Sequence, residues 1–297
     1  MEERMFRMRL STSTNLFAYR LNGEYAPYVE SLRRCKAAGF RVLDVNFCQS
    51  INGASDLAKD NWQQLIEELR NVAEKEGIVF TQSHPVFTRR SDELKPEQQE
   101  VYHEMMRRGI IASSILGVKW AILHPAPGKT EGMDRDAHVK DNIELHARAL
   151  ELAKKHNVGI AFENMIEKNT YRFAARAEDL VALIDTCNDP GVGACWDFGH
   201  ANFIHKDQRD ELRKLGKRLK ATHINDNNGT ADDHMFPFHG TVKWSTLLPV
   251  LKEIGYEGDF TYETHKEFSA LPEILKDPLA AFGYDLGQYC LSLVEGQ

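Results

Sequence analysis

Short apolar runs alternate with longer stretches of helical periodicity along this chain, and the alternation recurs eight times. The runs read as strands at Arg9–Thr14, Arg41–Phe47, Ile78–His84, Lys119–His124, Val158–Glu163, Val192–Asp197, Leu219–Asn225 and Asp259–Glu263. Between them lie amphipathic stretches at 27–38, 60–76, 96–116, 137–156, 176–187, 206–216, 244–254 and 270–294, which predict helices. Gly39, Gly77, Gly117 and Gly255 fall just past four of them, where a helix ends in a left-handed residue. From the second run on, successive strand ends are one βα unit apart. Eight such units in about 250–300 residues predict an α/β fold, a (β/α)8 TIM barrel, occupying residues 1–297 as a single domain.

Alternation within the strands says where side chains point. In VGIAFE, Glu163 shares a face with Gly159 and Ala161; in VGACWD, Asp197 goes with Gly193 and Cys195. In LKATHIN, His223 goes with Leu219, Ala221 and Asn225, and in DFTYE, Glu263 goes with Thr261. The consistent reading places small or polar residues inside the barrel and larger apolar ones, Trp196 and Tyr262 among them, against the helices. Candidate ligands then stand inward at the C-terminal ends of strands, where barrel active sites are built.

Composition narrows the class. The chain is 42% hydrophobic with a net charge of −7, which argues against a general nucleic-acid binder. No apolar run approaches the roughly 18–20 residues of a membrane helix, and the segment MEERMFRMRLSTST lacks the apolar core of a signal peptide. Five cysteines without CxxC spacing fit a reducing compartment, so a cytoplasmic protein is expected. Nothing in the composition of Phe203–Lys220 or the tail after Pro272 demands a second subunit, and homo-oligomerisation stays open.

Nine positions carry the candidate chemistry: His84 in QSHP, His124 in LHPAP, Glu163 in FEN, Asp197 and His200 in WDFGH, His223 in THIND, Asp232 and His234 in DDH, and Glu263 in YETH. A lone strand-end histidine is more often a structural hydrogen-bonding residue, and a lone carboxylate a cap. Convergence changes that balance. Six strands end in ligand-type residues, and burying several charges without a cation is costly. A divalent ion (manganese, zinc, cobalt or iron) is therefore expected, with no organic cofactor. Asp44 and Asn46, inward on strand 2, are candidates for substrate hydroxyl contacts. His103, His138, His146 and His156 read as surface or packing residues, Met105 and Met106 as helix packing, and Arg89–Arg90 as a solvated loop.

The order His, His, Glu, Asp-x-x-His, His-x-Asn-Asp, Asp-x-His, Glu resembles the xylose isomerase-like barrel superfamily, over nearly the whole chain and most specifically in residues 160–265. That superfamily holds sugar (phosphate) isomerases and epimerases, inosose dehydratases and endonuclease IV-type repair enzymes. Gly199 in WDFGH, the run DDHMFPFHGTVKW and FEN at the end of strand 5 favour the sugar branch. The resemblance implies one metal held by Glu163, Asp197, His223 and Glu263, with Glu163 and Glu263 exchanging a substrate proton and His200 on a substrate oxygen. His84, His124, His200, Asp232 and His234 remain as additional metal or substrate ligands. The substrate implied is a small carbohydrate, a ketose or keto-sugar, isomerised or epimerised through an enediolate. A polyol or keto-sugar dehydratase is the alternative. Two departures stand out. INDNNG after strand 7 lacks the arginine common in sugar epimerases, and no Gly-rich phosphate loop or basic cluster marks the strand tops. The rival from another class is an abasic-site endonuclease, whose three-metal site the nine ligands would also satisfy. The negative charge and few Lys/Arg near the strand tops speak against it.

Overall fold

The structure, a computed structural model, describes residues 8–296 except 21, 54, 130, 131 and 270. Residues 1–7, the start of the N-terminal segment read above, and residue 270, the first of the last predicted helix, lie outside the described residues. Eight strands run parallel in one sheet: β1 (Leu10–Ser13), β2 (Val42–Asn46), β3 (Val79–His84), β4 (Trp120–Leu123), β5 (Gly159–Glu163), β6 (Val192–Asp197), β7 (Leu219–His223) and β8 (Phe260–Tyr262). Neighbours in the sheet follow chain order, with β8 pairing β1. The remaining seam closes where Ile224 bridges Tyr262: the Ile224 amide donates to Thr261 O at 2.7 Å, and the Glu263 amide to Ile224 O at 3.1 Å. The result is the expected (β/α)8 barrel.

Around it lie α1 (Tyr28–Ala37), α2 (Trp62–Glu76), α3 (Pro96–Ile115), α4 (Arg135–Lys155), α5 (Ala177–Cys187), α6 (Phe198–Ala201), α7 (Arg209–Leu215), α8 (Trp244–Glu253), α9 (His265–Ser269) and α10 (Glu273–Glu295). Each of the four capping glycines has positive φ, between 68° and 119°, as helix termination demands. The stretch read as one helix over 206–216 starts later, at Arg209. Gln208 is not spent on the helix: its amide receives the Trp196 indole N–H at 3.0 Å and donates to Phe198 O at 2.9 Å. It ties the end of β6 to the following loop.

The predicted faces hold on β5 and β6, and on β7 from Ala221 onward; Leu219, read as inward, packs in the main core because the register shifts at Lys220. Ala161, Cys195 and Ala221 form a small buried cluster inside the barrel, apart from the main core where Trp196, Phe260 and Tyr262 pack against helices. β4 departs from the rule, for its inward residues are the large Trp120 and Ile122. Room for the indole comes from Gly159, where a Cβ would collide with the Trp120 ring. The barrel floor is thus a complement of one large side chain against glycine on the neighbouring strand. Met105 and Met106 are core residues as expected. Among the described residues no helix is long and apolar enough to cross a membrane.

Arg90 overturns its reading as a solvated loop residue. It is 2% exposed, with its guanidinium on Asp141 at 2.6 and 3.0 Å, on Asp92 at 3.0 Å and on Pro127 O. A buried guanidinium needs such saturation of its donors. Arg89, beside it, is exposed.

Candidate active site

The C-terminal mouth of the barrel opens into a cavity of about 390 Å³. His84, Glu163, Asp197 and His223 end their strands; His124 and Glu263 stand one residue past β4 and β8. Glu163, Asp197, His223 and Glu263 each offer a ligand atom, and these atoms lie within 4.8 Å of one another. The Glu163 Oε1 is 2.8 Å from His223 Nδ1, and a Glu263 oxygen is 3.4 Å from the same nitrogen. The other Glu163 oxygen meets His124 Nε2 at 2.8 Å. His84 stacks on His223 with ring planes 13° apart and turns Nε2 to His124 at 3.1 Å.

Asp197 is set by several neighbours. Its Oδ1 accepts the His200 amide at 2.6 Å, capping α6, and its Oδ2 accepts the Asn225 amide at 2.7 Å. Asn164 clamps its backbone on both sides, accepting from Asp197 N and donating to Asp197 O. The Asn164 carbonyl then receives His200 Nδ1–H at 2.8 Å, because a carbonyl can only accept. That bond leaves His200 Nε2 as the nitrogen facing the mouth. Gly199 is required here: a Cβ would overlap the Asn225 amide oxygen. The glycine of WDFGH lets the α6 turn close onto the loop after β7.

That loop carries Asp232 and His234. Asp226, the last residue of the His-x-Asn-Asp motif, is its anchor rather than a ligand. Its carboxylate accepts the Trp244 indole N–H at 2.8 Å and the amides of Val242 and Phe238 at 3.1 Å. His234 sits at φ 46°, a left-handed conformation that costs a non-glycine residue energy. It is held there by its Nδ1–H on Glu263 O at 2.8 Å and by the Asp226–Met235 bridge next to it. Its Nε2 reaches Asp232 at 3.1 Å, and Lys266 pairs with the same carboxylate at 2.9 Å.

The electrostatics follow from packing carboxylates and imidazoles together out of water. Burial pushes the Asp197 carboxyl up to about 6, with Glu163 and Glu263 adding to the rise and His200 opposing it. Burial works the same way on Glu163, but His223 and His124 outweigh it and hold that carboxyl well below the usual range. Glu263 is brought to about 2 by His223 and His234 against burial. His234 rises to about 9, since Glu263 and Asp232 overcome its desolvation.

The residues fit a divalent ion. The set is two glutamates, an aspartate and an imidazole, all hard or borderline donors. Donors sharing one ion at roughly 2.0–2.2 Å are at most about 4.4 Å apart, so the present spread needs only a small contraction. The imidazole nitrogen on the carboxylate side is His223 Nδ1, 2.8 Å from Glu163 and 3.4 Å from Glu263, which makes it the nitrogen placed to share an ion with them. Four further groups overlap or flank this set, and two of them, His84–His124–Glu163 and His200–Asp232–His234, form triads beside it.

All nine predicted ligand residues converge on this mouth. Asn46 lines the cavity, with its Oδ1 receiving the Cys48 amide at 3.1 Å. Asp44 does not. It lies two residues deeper on β2, buried, with Oδ1 unpartnered. The sequence reading missed His265, which lines the cavity two residues beyond Glu263 and forms a group with His234 and Glu263. It also missed Asn15, Gln49 and Lys266 and the apolar wall of Phe87, Met165 and Ile166. His265 and Lys266 open α9 beyond the end of β8, where strand alternation no longer applies, and the others lie outside the predicted strands and helices.

Fold and site together define a parallel (β/α)8 barrel whose strand ends aim a histidine–carboxylate cluster into one polar mouth. The chain belongs to the xylose isomerase-like TIM barrel family, whose sequence model matches residues 32–282. Uncharacterized protein y4fM of Sinorhizobium fredii is 30% identical over 133 residues, 45% of this chain and 40% of that protein, so that match spans less than half of the relative's length. D-psicose 3-epimerase of Enterocloster bolteae is 24% identical over 254 residues, covering 82% of this chain and 78% of the enzyme. Among solved structures, a D-tagatose 3-epimerase-like protein superposes with a TM-score of 0.74 at 18% identity, covering 97% of this chain and 99% of its own.

Proposed function

We propose that the protein is a divalent-metal-dependent epimerase or isomerase of a ketose or keto-sugar. The observation that carries this reading is the pair Glu163 and Glu263, both within 3.4 Å of His223 Nδ1, in one ligand set that includes Asp197. The relatives named as ketose 3-epimerases support the substrate class.

A carbon-bound hydrogen next to a carbonyl is only weakly acidic, so its removal needs a placed base and stabilisation of the enediolate that results. When bound, a divalent ion supplies that electrophilic stabilisation. Glu163 and Glu263 act as the base and acid of the two faces: one takes the proton from the carbon, and the other returns a proton on the opposite side. His200, fixed by Asn164 with Nε2 toward the mouth, donates to the substrate oxygen on which charge develops. His84 and His124 buttress Glu163, and Asn46 with Gln49 offers amides to the distal hydroxyls. Phe87, Met165 and Ile166 shield the opposite wall from water.

A second reading has one observation in its favour. The two extra triads supply ligands for three ions in all, an arrangement suited to phosphodiester hydrolysis. The lining works against it: Lys266 is the single Lys or Arg among the residues lining the cavity, and it is engaged by Asp232. Polyanion binding gains most of its affinity from such cations.

Incubating the metal-loaded protein with D-psicose, D-tagatose, D-fructose and related ketoses in D2O tests the proposal. The expected result is one deuterium in the product, at the inverted carbon or at the carbon that has exchanged its carbonyl. Turnover without solvent deuterium, or cleavage of abasic-site DNA with no reaction of any ketose, removes the proton-transfer reading.

A further inference from the structure

At the opposite, N-terminal mouth of the barrel lies a second polar cavity, of about 380 Å³. It is a built space. Gly159 on β5 makes room for the Trp120 indole, and Gly193 on β6 does the same for the Lys220 stem, since a Cβ at either place would collide. Lys220 is the extra residue where the β6–β7 register shifts: Ala194 pairs with Leu219 and Cys195 with Ala221. Such a bulge re-aims a side chain, and here it lays the Lys220 ammonium 6.0 Å from the centre of the Trp120 ring.

Lys119 and Lys217 line the same cavity, together with Arg9, which Asp259 neutralises at 2.8 and 3.0 Å. Among the described residues, no carboxylate pairs with Lys119, Lys217 or Lys220 within 4.0 Å. Glu257 is the one other carboxylate of the lining. Thr81 supplies an independent sign: it lines the cavity at 7% exposure, and its Oγ1 has no hydrogen-bond partner. Three lysines without a carboxylate partner therefore line one cleft, on a chain whose net charge is −7. A cleft walled in this way concentrates positive potential.

We infer that the N-terminal mouth is a binding site for a small phosphate-bearing anion. Lysines serve phosphate as point charges. The buried layer of Ile122, Ala161, Cys195 and Ala221 lies between this site and the ligand cluster at the other end. Ligand and substrate therefore occupy separate ends of one barrel.

The test is calorimetric titration of the metal-loaded full chain with inorganic phosphate, beside Lys220→Met and Lys217→Ala/Lys220→Ala. Methionine keeps the stem that packs against Gly193 and Trp120, so Lys220→Met removes the charge with the packing retained. Saturable binding that weakens about tenfold or more in Lys220→Met, a loss of about 1.4 kcal/mol or more, and further in the double variant is expected. Ketose turnover should be unchanged in these variants. Absence of saturable binding, or an affinity that Lys220→Met leaves untouched, overturns the inference; the second outcome would place the phosphate on the metal at the other mouth.

Discussion

Replacing Glu163 by glutamine is expected to lower kcat by roughly 100- to 10,000-fold, the range a placed general acid or base contributes. Glutamine keeps the shape and one acceptor oxygen, so the His223 contact at 2.8 Å has a partner, but the side chain no longer takes up a proton. The same loss is expected for Glu263→Gln. The two variants should differ in a diagnostic way. If each glutamate serves one face of the carbon, each variant stops solvent-proton exchange from one epimer and leaves exchange from the other detectable. Metal content measured on both variants separates a lost base from a lost ligand. Near-normal turnover in either variant takes that residue out of the acid–base role.

Removal of the divalent ion is the second large effect expected. Chelation should abolish turnover and lower Tm by several degrees, with both restored on adding the ion back. A ligand present at 100 times its Kd stabilises the folded state by about 2.7 kcal/mol. Stripping the ion forfeits that and returns Glu163, Asp197 and Glu263 to balancing one another through imidazolium groups alone. Thermal melts and ketose turnover, with and without chelator, check both parts. A chelated protein with unchanged Tm and activity contradicts any role for an ion.

Much of this arrangement was legible in the chain because it follows from parity. Gly159, Ala161 and Glu163 share a face, as do Gly193, Cys195 and Asp197. Once the runs are strands of a barrel, the last of each series must point inward at the mouth. Convergence of the strand-end ligands followed from that, and so did the outward packing of Trp196 and Tyr262, whereas His200, Asp232 and His234 were legible only from their motifs. What stayed hidden depends on partners distant in sequence. Arg90 looks like a loop cation until Asp141, 51 residues on, closes over it. Asp226 reads as part of a ligand motif until the Trp244 indole and the loop amides claim both its oxygens. The bulge at Lys220 breaks the very periodicity on which the reading rests. Phe87, Met165 and Ile166 come from loops, where neither period nor cap says which way a side chain turns.

Metal stoichiometry, measured by elemental mass spectrometry on protein purified without chelator, tests the central claim most directly. The account predicts one manganese, cobalt, zinc or iron ion per chain, lost when His223 is replaced by alanine and retained when Asp232 is. Close to three zinc ions per chain, or none even after reconstitution, would contradict it.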